Sequence, residues 1–126
     1  MDDLTSELLK RWNPEEERCG VVLDTGEVVD VLNYAKKLSA GKSEFAMRNK
    51  DVRKAVGDGI IRGVFHTHPS NTARPSEKDI AGWPGVPEYY IVTQNSVTEW
   101  KLVGSHPVLV ARAGSALDHR VRQATA

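Results

Sequence analysis

The sequence predicts an α/β fold in which a mixed β-sheet is flanked by helices. Short apolar, β-branched segments recur along the chain, segments with helical spacing lie between them, and turn residues separate the two kinds. The chain has 126 residues, the usual size of one domain. We therefore expect one core, formed where the helices pack on the sheet.

The first elements are a helix and a hairpin. Leu4, Leu8, Leu9 and Trp12 have helical spacing, which predicts a helix that ends before Pro14. Two apolar segments follow at residues 19–23 and 27–32. The turn residues 24–26 join them, and this pattern is typical of a β-hairpin.

The middle of the chain is predicted to contain a loop, a helix and the central strand. Residues 33–44 resemble a loop, and residues 45–47 a short strand. Asn49 is a candidate cap for a helix that Gly57 ends. Residues 60–66 are the most apolar segment, so we expect them to form a central strand.

The last predicted elements are a short helix over 76–83 and two strands over 89–93 and 97–103. After Gly104 the pattern weakens. We therefore place the domain at residues 1–104 and expect 105–126 to be a C-terminal extension that is flexible or marginally helical.

Composition excludes several classes of protein. Cys19 is the only cysteine, so neither an internal disulfide nor a four-cysteine zinc knuckle can form. The chain has no run of about 18 apolar residues, and its N-terminus is acidic, so we expect neither a membrane span nor a secretory signal. A reducing, cytoplasmic setting fits best.

Charge is balanced overall but unevenly spread. Residues 36–54 carry seven basic and two acidic side chains, which is a candidate surface for an acidic partner. No aromatic residues are interleaved to stack on bases, so we expect no nucleic-acid partner and interpret the segment as a solvated face.

The most informative motif follows the predicted central strand. It consists of His66 and His68, a seven-residue spacer, Ser76 and Asp79. Alternate side chains of a strand point the same way, so the two histidines project together. Two imidazoles and a carboxylate can hold a zinc ion and leave one coordination position open, as a hydrolytic site requires.

Part of this motif has a structural interpretation as well. Ser76 and Asp79 have the spacing of a capping box at a helix N-terminus. Each histidine could also be an ordinary core or surface residue. The ordered combination after a strand is what favours a metal site.

Hydrolysis at such a site also needs a proton acceptor that is not a ligand. The candidates are Glu15, Glu16 and Glu17. Glu17 is nearest to the strand that begins at Cys19, but the residues alone do not decide among the three.

Together these segments resemble the JAMM motif of the MPN-plus (JAB, Mov34/MPN) zinc metallopeptidases. The matching pattern is a glutamate followed by Cys19 and Gly20, then H-[ST]-H-P-x6-S-x-x-D at residues 66–79, and the likeness covers about residues 3–103. The resemblance implies a JAB/MPN fold, a three-layer architecture like that of cytidine deaminases with a curved mixed sheet.

The resemblance also implies roles for five residues. His66, His68 and Asp79 are the expected ligands of one Zn²⁺ per chain. Glu17 is the expected general base, acting on a zinc-bound water, and Ser76 stabilises the oxyanion. The implied reaction is hydrolysis of a peptide or isopeptide bond.

The chain resembles compact prokaryotic members of the family and those of phage tail assembly, because the insertions by which larger members grip ubiquitin are missing. The implied partner is a protein or peptide substrate, such as a phage tail protein, a ubiquitin-like protein or a cell-wall peptide. An alternative function is a zinc-containing MPN scaffold that acts mainly by binding tail proteins.

Two other enzyme classes fit the sequence less well. A cysteine peptidase could use Cys19 with His66 or His68 as base, but a small buried cysteine is the commoner case. A zinc deaminase would need H-x-E and P-C-x-x-C, and the sequence contains neither.

Overall fold

The computed structural model describes residues 3–37, 45–83 and 85–114. Within these ranges the secondary structure elements, in chain order, are α1 (Asp3–Leu9), β1 (Cys19–Leu23), β2 (Val28–Val31), α2 (Tyr34–Lys37), α3 (Asn49–Val56), β3 (Ile61–Thr67), α4 (Glu77–Ala81), β4 (Glu88–Val92), β5 (Val97–Val103) and β6 (His106–Ala113).

The six strands form one open sheet in the order β2-β1-β3-β4-β5-β6. All neighbouring strands are antiparallel except β3 and β4, which are parallel and are connected through α4. The predicted mixed sheet flanked by helices is therefore confirmed, and β3 occupies the interior position expected of the most apolar segment.

The two faces of the sheet carry separate apolar cores. On one face, buried side chains of β1, β3, β4 and β5 pack with α3 and with Trp83 and Val86. On the other face, buried side chains of the same four strands pack with α1 and Trp12. Because alternate residues of a strand face opposite sides, β3 contributes Val64 to the first core and Phe65 to the second.

Gly20 allows β1 to lie closely between its neighbours. A Cβ at this position would overlap the carbonyl oxygen of Val29 and lie 2.6 Å from Cε1 of Phe65. The glycine beside Cys19 thus has a steric reason, because the ring of Phe65 occupies the space that a side chain would need.

Most predicted elements are present, with shifted ends. The first helix ends at Leu9, three residues before Trp12, the last residue with helical spacing. The hairpin lies where it was predicted. Asn49 is the first residue of α3 rather than its predicted cap, because Arg48 occupies the N-cap position. The helix ends at Val56, and Gly57 follows as the C-cap with a φ of 62°, which is accessible to glycine. The segment 45–47 is irregular rather than a strand, and the predicted loop contains α2; its residues 38–44 lie outside the described residues.

A sixth strand lies where the sequence predicts a C-terminal extension. β6 pairs antiparallel with β5 at the sheet edge and exposes Val108, Leu109 and Val110. Three consecutive exposed apolar residues produce no alternation, so the pattern gave no sign of a strand. The expectation of a flexible or helical extension is therefore corrected for residues 106–113, while residues 115–126 lie outside the described part of the chain.

None of the helices in the described ranges is long and apolar enough to cross a membrane.

The packing at Gly20 yields a stability prediction. Gly20→Ala should lower the free energy of unfolding by about 1–3 kcal/mol, because the new methyl group forces Phe65 or β2 to move. Urea denaturation measures the loss. Gly82→Ala is the matched control, since a Cβ there would lie 3.5 Å from the nearest atom, an ordinary contact. Equal stability of both variants would contradict the steric role of Gly20.

Candidate metal centre

The candidate site lies where β1 and β3 pair on one face of the sheet. Cys19 is opposite His66 in the antiparallel register. One step beyond the strand, the backbone N–H of Thr67 donates to the carbonyl of Arg18 at 2.8 Å, so the pairing continues. By the same step Glu17 comes opposite His68. Alternate residues share a face, so Glu17 and Cys19 lie on the side of the sheet to which the two histidines point.

The two histidines and Asp79 converge on one small space. Nε2 of His66 and Nε2 of His68 are 2.8 Å apart. Oδ2 of Asp79 lies 3.2 Å from each of these nitrogens. All three side chains are buried. The structure therefore brings together the three residues that the sequence predicts as ligands.

Glu17 stands slightly further from the same space. Its Oε1 lies 3.9 Å from Nε2 of His66, and the side chain is buried. With His66 and His68 it forms a cluster whose ligand atoms all lie within 4.8 Å of one another. Of its two neighbours, Glu15 is exposed and Glu16 is half-buried.

The atoms present fit a zinc ion. Four ligands at about 2.0–2.1 Å in a tetrahedron lie about 3.3–3.4 Å from one another. The 3.2 Å separations of Asp79 from both histidines match this spacing, and the histidine pair is about half an ångström closer. Two imidazole nitrogens and one carboxylate oxygen are also the donor types of hydrolytic zinc sites.

A hydrogen bond at Nδ1 of His68 leaves the Nε2 lone pair of this residue for a metal. Nδ1 of His68 lies 2.6 Å from the carbonyl oxygen of Thr72, which can only accept, so Nδ1 carries the proton and Nε2 the lone pair. Nδ1 of His66 is buried and has no hydrogen-bond partner among the described residues. The ring of Phe45 stacks on His66 with centroids 4.2 Å apart.

The electrostatics follow from burial and from Asp79. Burial lowers the pKa of His66 below its usual value and outweighs the hydrogen bond that the protonated ring would donate to that carboxylate. Burial acts the same way on His68, but the hydrogen bonds to Asp79 and Thr72 raise its pKa overall. Burial would raise the pKa of Asp79, yet the two histidines hold it well below the usual range. An ionised carboxylate beside two imidazoles favours a bound cation.

Asp79 also caps its helix. The hydroxyl of Ser76 accepts a hydrogen bond from the backbone N–H of Asp79, and Oδ2 of Asp79 accepts one from the N–H of Ser76 at 2.8 Å. The structural interpretation of this pair is therefore correct, and it coexists with the metal-site geometry. The same Oδ2 atom faces both histidines.

An open cleft of about 310 Å³ lies beside the cluster. It is lined by Glu17, His68, Pro69, Ser70, Thr72, Arg74, Pro75 and Ser76. The Ser76 hydroxyl uses its oxygen in the cap and keeps its own hydrogen to donate. Glu17 and Ser76 thus border the same opening.

Cys19 does not have the properties of a nucleophile. It is buried, and its thiol donates to the carbonyl of Val31 at 3.6 Å. Burial, helped by the charge of Glu17, raises the pKa of the thiol to about 12. A thiolate is therefore not available near neutral pH, which disfavours the cysteine peptidase alternative.

Sequence reasoning missed Asn33, which holds the Glu17 segment in place. Its Nδ2 donates to the carbonyl of Glu17 at 2.9 Å, and its Oδ1 accepts from the N–H groups of Ala35 and Ala46 at 3.1 and 3.0 Å. Asn33 thereby joins the approach to β1 with the segment that carries Phe45. The sequence shows only an asparagine in a predicted loop. Its burial, which would have marked it as a structural residue, is not visible in the sequence.

Trp12 was also missed as a support of the site. Its Nε1 donates to the carbonyl of His68 at 3.0 Å, while the N–H of His68 donates to the carbonyl of Val92 at 2.8 Å. The backbone on both sides of the His68 side chain is therefore fixed.

Fold and site together define an α/β domain with a buried candidate metal site of two histidines and two carboxylates at a strand end. The family model of prokaryotic homologues of the JAB domain matches residues 4–103, and the chain belongs to this family. The resemblance seen in the sequence is thereby confirmed.

Among solved structures, the fold is similar to the solution structure of protein DSY2949 from Desulfitobacterium hafniense, with a TM-score of 0.65 and 21% sequence identity. The match covers 83% of this chain and 84% of the other. No curated protein matches the chain.

The bonds of Asn33 lead to a second prediction. Asn33→Asp should lower the free energy of unfolding by about 1–3 kcal/mol, because a carboxylate cannot donate to the Glu17 carbonyl and leaves it buried without that bond. Urea denaturation measures the loss. Asn13→Asp is the control, because Oδ1 of Asn13 only accepts, from Glu15 at 2.7 Å and Glu16 at 3.3 Å. A similar loss in both variants would contradict the assignment.

Proposed function

We propose that this protein is a zinc-dependent metallopeptidase that hydrolyses a peptide or isopeptide bond. The observation that carries the proposal is the convergence of His66, His68 and Asp79 on one space. Oε1 of Glu17 lies 3.9 Å from Nε2 of His66, and an open cleft lies alongside. Membership in the JAB family supports the same function.

His66, His68 and Asp79 would hold the metal. Bound zinc supplies a Lewis acid that acidifies water and polarises a carbonyl group. Asp79 neutralises part of its charge, and the bond from His68 to Thr72 keeps one imidazole in the tautomer that a metal requires.

Glu17 is the proposed general base. Its carboxylate accepts a proton from the attacking water and returns it to the leaving amine, which needs a group beside the ligands rather than among them. Its greater distance from His66, compared with that of Asp79, supports this division of roles.

Ser76 is the proposed oxyanion donor. The helix cap holds its hydroxyl oxygen at the border of the cleft. The hydroxyl hydrogen can then donate to the substrate's carbonyl oxygen as negative charge develops there. The cleft that it borders would hold the substrate, a protein or peptide. A phage tail protein and a ubiquitin-like protein belong to this proposal as candidate substrates.

Metal content and one variant test the function. Purified protein should contain about one zinc per chain by elemental analysis. Glu17→Gln should keep the zinc but lose about 10²- to 10⁴-fold of its hydrolytic rate on a peptide mixture followed by mass spectrometry, since the amide cannot accept the proton.

Glu16→Gln is the matched control and should behave like the unmodified protein. A protein that takes up no zinc would contradict the metal assignment. Full hydrolysis by the Glu17→Gln variant, or its loss in the Glu16→Gln variant, would contradict the assignment of the base.

A further inference from the structure

The loop between β3 and α4 is anchored at three consecutive residues. Oδ1 of Asn71 accepts from the N–H of Gln94 at 2.7 Å. The carbonyl of Thr72 accepts from His68 at 2.6 Å, and the carbonyl of Ala73 accepts from Oγ1 of Thr98 at 2.9 Å. Each bond reaches a different part of the sheet or its edge. The backbone that leads to Arg74 is therefore held in place before any ligand binds.

The anchor at Ala73 locates Arg74 relative to the candidate metal centre. Thr98 lies in the same cross-strand row as His66, because His66 pairs with Ile91 and Ile91 pairs with Thr98. Two strand spacings separate them, which is about 10 Å. Arg74 follows Ala73, and its guanidinium lies 5.8 Å from the ring centre of Trp100 on β5.

Arg74 has no ion-pair partner in the part of the chain that the structure describes. By contrast, Arg48 and Arg62 each pair with one carboxylate, and Arg11 pairs with two. The side chain is exposed and lines the same cleft as Glu17. A cation without an ion-pair partner among the described residues thus borders the opening where a substrate would lie.

From this geometry we infer that Arg74 binds a carboxylate group of the substrate, about three residues from the bond that is hydrolysed. The inference rests on the proposed function and specifies its substrate class. The backbone separation of His66 and Thr98, about 10 Å, is taken as the span from the reacting position to Arg74. An extended peptide advances about 3.3 Å per residue, so this span corresponds to about three residues. A guanidinium can bind both oxygens of a carboxylate in one plane.

The other charges near the cleft are compatible with the same placement. The carboxylates of Glu17 and Asp79 would be offset by the two positive charges of a bound Zn²⁺, so the reacting position itself would carry little net charge. Arg74 adds a positive charge to the same cleft and attracts a substrate carboxylate there. The cleft therefore favours an acidic group near Arg74, which either an Asp or Glu side chain or a free C-terminal carboxylate can supply.

Cleavage preferences test the inference. The zinc-loaded protein is incubated with a mixture of proteome-derived peptides, once with free and once with amidated C-termini, and the cleaved bonds are mapped by mass spectrometry. We expect acidic residues to be enriched at one position about three residues from the bond, or cleavage near free C-termini that amidation abolishes; the two arms distinguish the sources.

Arg74→Glu should remove this preference and favour Lys or Arg at the same position. Arg53→Glu makes the same charge change on the exposed side of α3, away from the cleft, and should leave the preference unchanged. An unchanged preference in the Arg74→Glu variant would overturn the inference. Cleavage by the unmodified protein without any acidic preference would overturn it as well.

A binding measurement makes the test independent of turnover. Zinc-loaded Glu17→Gln protein is titrated with fluorescent oligoalanine amides that carry one Glu at successive positions, and with the free acid of the parent peptide. At least one carboxylate probe should bind about three- to tenfold more tightly than the neutral amide, and adding Arg74→Glu should abolish the difference.

The two proposals fail in different ways. Binding that depends on Arg74, without hydrolysis by the unmodified protein, would support the inference and contradict the proposed function. Hydrolysis without any effect of Arg74 on preference or affinity would contradict the inference alone.

Discussion

The antiparallel pairing of β1 with β3 is the constraint on which the rest of the site depends. With Cys19 opposite His66, Glu17, which lies two residues before β1 begins, comes opposite His68 on the same face. A shift of one residue would turn Glu17 to the far side of the sheet. Gly20 helps to fix this register, because the ring of Phe65 fits only against a residue without a side chain. Packing of Phe65 against Gly20 on one face of the sheet therefore helps to determine that Glu17 lies at the candidate site on the other face.

Much of the site could be predicted because its signals are local. Alternation along β3 places His66 and His68 together, and the spacing of Ser76 and Asp79 identifies a helix start. The choice of Glu17 followed from the family resemblance, and the strand parity gives it a physical reason. The supports of the site were not predictable, because Asn33 acts through bonds to residues up to 16 positions away that only the folded chain brings near.

The elements that escaped prediction share a physical cause. β6 pairs along one edge and leaves Val108, Leu109 and Val110 exposed, so no alternation of buried and exposed residues marks it. The segment with Phe45 is irregular, and the Phe45 ring stacks on His66. In both cases tertiary contacts, rather than periodicity, determine the conformation, and periodicity is what a single sequence displays.

The shared oxygen of Asp79 has a consequence for how such chains diverge. Selection for stability alone would retain Ser76 and Asp79, because the pair caps α4 whether or not a metal is bound. The same selection would oppose Glu17, since a buried carboxylate is costly to desolvate. In a descendant that has lost hydrolysis, the S-x-x-D pair should therefore outlast the glutamate. The glutamate, rather than the longer motif, is the better marker of a working enzyme.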